Sequence, residues 1–176
     1  IESPLEFFAF EQTQIYIYVF FFGAAIILLT YNLFLYFSLR ESLYLYYVTH
    51  GALLTIWTIQ YSGFCLFIDH SLSVHYMVVG AVPLGIACSA LFMRSFLNTA
   101  TYLPKADKFL KVSAYIFAAA SVSAAIDTDT FHYVIEAGMP FMLIMFSIGV
   151  YALTKKVPMA KFYVLASSWS ILGLFL

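Results

Sequence analysis

Charge is scarce in this chain: only 10% of its 176 residues are Asp, Glu, Lys or Arg, less than half the share usual in a soluble globular domain. Cysteine is nearly absent too. Cys65 and Cys88 are too few for a disulfide framework, and with one near a helix end and the other near mid-membrane they read as two free, buried thiols. The chain has no HExxH, no Gly-rich phosphate loop and no CxxC, which removes the commonest metal, nucleotide and redox motifs. Ser95, Ser167 and the histidines form no readable nucleophile–base–orienter set. His75 and His132 are the nearest approach to a haem-ligating pair, yet both lie toward one surface. No catalytic residue, cofactor or metal is expected. Nucleic acid is not expected as a partner either, because the basic residues are split among three short loops with no continuous basic face.

What the chain does have is hydrophobic length. It is 64% hydrophobic and 20% aromatic, with a mean hydropathy of +0.94, and Phe and Tyr cluster toward segment ends as in interfacial belts. A spanning helix needs about twenty mostly apolar residues. Six such segments are predicted: 13–39, 43–68, 72–97, 109–126, 131–154 and a sixth from 162 that reaches residue 176 too soon to cross. The fold class expected is all-α, a polytopic helix bundle whose partner is the lipid bilayer. Residues 98–108, with Pro104, are expected to form the longest internal loop.

All eight Lys and Arg fall in or beside alternate gaps between these segments: Arg40 in the first; Arg94, Lys105, Lys108 and Lys111 in or flanking the third; Lys155, Lys156 and Lys161 in the fifth. Asp69 with His70, and Asp127 with Asp129, mark the other gaps. Positive charge is retained on the cytoplasmic side, so the N-terminus is expected outside. Residues 1–12, with Glu2, Glu6, Glu11 and Pro4, lack the basic n-region of a signal peptide. They read as an external linker from an upstream domain, followed by a bundle over 13–176. The chain starts without Met and ends inside a helix, so it reads as part of a longer protein.

Small residues let membrane helices approach closely. Ala81, Gly85 and Ser89 recur every four residues in the third segment, and Ala114, Ala118, Ser121 and Ala125 line a similar stripe in the fourth. Both are expected inside the bundle, with the Phe-rich first segment facing lipid. Polar residues at membrane depth are costly there and often functional. Asn32, His50 and Trp169 each lie seven residues from the basic end of a segment, about 10 Å in. They are candidates for one hydrogen-bonded layer that reports helix movement; the plainer alternative is separate packing contacts. A second group, Asp69, His70, His75, Asp127, Asp129, His132 and Glu136, gathers at the opposite end. His132 and Glu136 share a helix face, and the group is either a proton- or metal-sensing site or a solvated acidic rim.

The run LLTYNLFLYFSLRESLYLYYV, Leu28 to Val48, resembles the first hairpin of the bacterial seven-transmembrane receptors with diverse intracellular signalling modules. It carries a Tyr-Asn pair (Tyr31-Asn32), a short polar turn (Arg40-Glu41-Ser42) and a Tyr-rich second helix (Tyr44, Tyr46, Tyr47). FLNTATYLPKADKFLK, Phe96 to Lys111, is similar to that family's second inner loop, and AKFYVLASSWSILG, Ala160 to Gly173, to the start of its sixth helix. The resemblance implies seven helices in the full protein and an external ligand-binding domain before the first. It also implies a cytoplasmic output domain after the last (a histidine kinase or diguanylate cyclase), a homo-oligomer, and residence in the bacterial inner membrane. The function expected is transmembrane relay of an external ligand signal. An ion-coupled transporter or channel, or a structural subunit of a membrane complex, is the alternative.

Overall fold

Long apolar runs without interior breakers become helices, because in lipid every backbone polar group must be satisfied within the segment. A computed structural model describes residues 4–62 and 72–175. Its elements are α1 (Pro4–Leu39), α2 (Ser42–Tyr61), α3 (Leu72–Phe96), a short α4 (Thr99–Tyr102), α5 (Pro104–Ile126), α6 (Thr128–Thr154) and α7 (Ala160–Phe175). There is no strand among the described residues. Four helices contain stretches long and apolar enough to cross a membrane: Gln12–Leu39, Val79–Phe96, Pro104–Ile126 and Thr130–Thr154. α2 has the length for it, but its Tyr, Thr, His and Gln residues dilute its apolar character. α7 has 16 residues.

Two boundaries differ from expectation. The stretch before Thr13 is helical from Pro4 and continuous with the first span, with no break between them. The supposed loop 98–108 is mostly helix: α4 occupies Thr99–Tyr102, and α5 starts at Pro104 rather than Phe109. The reason is local. Proline's fixed φ and missing N–H suit the first helical position, and Asp107 in the first turn complements the helix dipole.

α3 is the centre of the bundle, packed against α2, α5 and α6, while α1 packs on α2 and α7 on α6. Across α2 and α3, Tyr47 near the start of one meets Phe92 near the end of the other, 5.8 Å between ring centroids. At the opposite end, Trp57 of α2 meets Phe131 of α6 at 5.7 Å. Successive long helices are thus antiparallel, and all eight bases, in the turns or within about two helical turns of them, lie together at one end. The most deeply buried side chains, Met93, Leu97, Thr99 and Leu110, lie toward that end, with Pro83 buried further along α3. The core continues there through Ala152, Val157, Ala160 and Tyr163. α1 has no buried residue between Gln12 and Leu39, and Phe20 and Ile27 are 79% and 73% exposed. It presents the apolar surface expected of a lipid-facing helix.

Candidate functional site

The middle of α3 carries Pro83, which has no N–H to give the carbonyl four residues earlier and so interrupts the backbone ladder. Gly80 and Gly85 flank it. The carbonyl of Gly80 accepts a hydrogen bond from the Ser121 hydroxyl of α5 at 2.6 Å. The carbonyl of Gly85 lies 2.8 Å from Nδ1 of His50 on α2. A carbonyl only accepts, so Nδ1 carries the proton and donates. Only the first approach is tight enough to favour glycine: a Cβ on residue 80 would lie 3.2 Å from the Ser121 carbonyl oxygen, whereas one on residue 85 would make an ordinary contact, 3.7 Å from Leu53 Cβ. The interrupted stretch of α3 is therefore pinned by side chains from two neighbouring helices. Ser89, one turn further, places its hydroxyl 3.9 Å from the Met145 sulfur of α6.

The small-residue stripe Ala81, Gly85, Ser89 thus does not serve one interface. Gly85 faces α2 and Ser89 reaches α6, while it is Gly80 that admits α5. Positions four apart drift around the axis by about 40°, enough on a central helix to reach different neighbours. On α5, Ala114 is buried and Ala118 half-buried, and both belong to or border the shared core.

At the basic end, Arg94 and Asp107 form a two-pronged ion pair, Nε to Oδ1 at 2.8 Å and Nη2 to Oδ2 at 2.9 Å. Thr99, fully buried, donates to the same Oδ1 at 2.7 Å. Bidentate geometry fixes orientation as well as distance, so the end of α3, α4 and the first turn of α5 are clasped into one unit. Sequence reasoning counted Arg94 as a loop base and passed over Asp107. The available signal was an acid among bases just after a proline helix start. An aromatic row crosses the same end: Tyr47 to Phe92, Phe92 stacked on Phe96 at 5.4 Å, and Phe96 to Tyr163 at 6.5 Å.

The candidate layer of Asn32, His50 and Trp169 is only partly visible. Asn32 donates through Nδ2 to the Leu28 carbonyl of its own helix at 2.9 Å, while His50 bonds α3, so the two are held to different partners. Trp169 lies on α7, its side chain outside the described residues. In the acidic group, Asp69 and His70 lie outside the described residues altogether. His75 on α3 and Asp129 on α6 are placed by backbone alone. Asp127 ends α5 and accepts from the Thr130 hydroxyl at 2.9 Å, an ordinary turn contact. His132 and Glu136 are exposed on α6. Among the described residues no three His, Cys, Asp or Glu are grouped to hold a metal ion. Cys88 is free and buried; Cys65 is outside the described residues.

A helical bundle with several helices able to span a bilayer, its bases all at one end and its central helix pinned through backbone carbonyls, is a polytopic membrane protein. Residues 14–176 match the family described as 7TM diverse intracellular signalling, and the chain belongs to that family. It is therefore a membrane sensory and signalling module. Neither curated proteins nor solved structures match the chain.

Proposed function

We propose that this bundle relays an external ligand signal, received by an upstream domain, to a cytoplasmic output domain. The observation that carries this reading is the family match across residues 14–176. The sidedness of the bases supports an orientation with the N-terminus outside and the basic turns in the cytoplasm. The relay element is α3, whose pinned centre has neighbours on both sides that a signal can move. A ligand biases such an element only through different affinities for its two arrangements. Interhelical hydrogen bonds in membranes contribute about 0.6–2 kcal/mol; losing one that is present in a single arrangement therefore shifts the balance roughly three- to thirty-fold.

The test uses the full-length receptor and reads its output against ligand concentration. His50→Leu and Ser121→Ala are each expected to shift the basal output or the midpoint by about three-fold or more, with surface expression retained. Asn32→Leu, which removes a hydrogen bond within one helix, is expected to shift it less. Unchanged dose–response curves for both His50→Leu and Ser121→Ala would overturn the relay role of α3.

A further inference from the structure

Between α1, α2 and α3, at the basic end, a cleft of about 370 Å³ is lined by Asn32, Leu43, Tyr44, Tyr47, Phe92 and Phe96. That is within the range of small-ligand pockets, roughly 300–1,000 Å³. All six side chains are half-buried, so the cleft opens sideways rather than being sealed. Its deepest polar group, Asn32, lies about 10 Å from the end of α1, and Tyr47 about 7 Å from the start of α2. This depth runs from the headgroup boundary into the top of the hydrocarbon. Leu43 and the stacked pair Phe92–Phe96 form an apolar wall. Asn32 spends one N–H on Leu28, which leaves its second N–H free to donate. The hydroxyls of Tyr44 and Tyr47 are unpaired among the described residues. Arg40 forms the turn joining α1 and α2 below the cleft. It is exposed and in no ion pair among the described residues, whereas Arg94 is neutralised by Asp107.

We propose that this cleft binds an anionic phospholipid from the basic-side leaflet. Three layers of the site match three layers of that molecule. Arg40 meets the phosphodiester. The Tyr hydroxyls and the Asn32 amide donate to the ester carbonyls. Leu43, Phe92 and Phe96 receive the upper acyl chain. Charge complementarity selects this occupant over a further apolar helix, which would leave the free amide and hydroxyl donors unpaired in a low-dielectric setting. The proposal requires the helices to span a bilayer and stands apart from the relay reading.

The full-length protein in phosphatidylcholine nanodiscs, doped with phosphatidylglycerol bearing a diazirine near the top of its acyl chain, tests the idea. Labelled residues are mapped by peptide mass spectrometry. Tyr44, Tyr47 and Phe92 are expected to label about five-fold more than Phe34 and Leu153, which are exposed near the same end on other faces, a ratio on the scale of one basic residue's pull on an anionic lipid. Unlabelled phosphatidylglycerol competes and phosphatidylcholine does so less. Arg40→Asn, which keeps a side chain tolerant of the left-handed backbone there, and Asn32→Leu each reduce the enrichment. Cleft labelling equal to Phe34 and Leu153 would mean bulk lipid only and overturns the site. Protection of the cleft while Phe34 and Leu153 label would mean that protein covers it, which also overturns it. Absence of label at Phe34 and Leu153 as well would count against the membrane reading itself.

Discussion

At the scale of single residues, the turns of the basic end stand out. Arg40, Asn98, Lys156 and Met159 all have positive φ, a region that costs most L-residues about 1–2 kcal/mol. Asn tolerates it, and Asn98 after α3 could be read that way from sequence. The other three could not, because the usual signal, a glycine just past a helix end, is missing at all of them. After α6 the geometry is explicit. Val157 N–H bonds the Ala152 carbonyl and Lys156 N–H the Leu153 carbonyl, both at 3.0 Å, with Val157 and Ala152 buried together. This is the Schellman closure, with Lys156 at the left-handed position. Lys156→Gly is accordingly expected to raise stability by about 1 kcal/mol, read as a higher midpoint of unfolding in mixed micelles. The same change at Lys155, whose φ is not positive, is expected to give no gain.

At the scale of elements, the Arg94–Asp107–Thr99 clasp is the strongest local device. Its side chains are only 24% and 16% exposed, so the pair is shielded far more than a surface salt bridge. Asp107→Asn is expected to destabilise the α3–α5 unit by about 2 kcal/mol, and Thr99→Val by about 1 kcal/mol, the usual contributions of charged and neutral hydrogen bonds. A double-mutant cycle between positions 94 and 107 measures the coupling, and a coupling near zero would contradict the clasp. The hydrophobic segments themselves were legible, because apolar length in a bilayer leaves the backbone few choices. The start of α5 was legible in principle, since Pro104 marks a helix beginning as readily as a loop. The His50–Gly85 and Ser121–Gly80 bonds were not. Their acceptors are backbone carbonyls, which every residue carries, so no residue type announces the partner. Asn32 and His50 looked alike in depth, and depth alone does not say which neighbour each side chain faces.

At the scale of the whole molecule, charge sidedness was the most readable property, because it depends on gap order and not on packing. It also yields a direct check. With Cys65 and Cys88 replaced by Ser, a membrane-impermeant maleimide added to intact cells is expected to label Asp127→Cys and to spare Lys155→Cys until the membrane is opened. The reverse pattern would invert the proposed orientation. One further consequence follows from α1. Its 36 residues run without a break for about 54 Å, against a hydrocarbon core of about 30 Å. The part before the apolar stretch Gln12–Leu39 therefore continues beyond the hydrocarbon as part of the same rod. Such a rod has no joint in which a twist or tilt applied at Pro4 can be absorbed. Torque at one end arrives at the other as displacement of Arg40, at the mouth of the cleft.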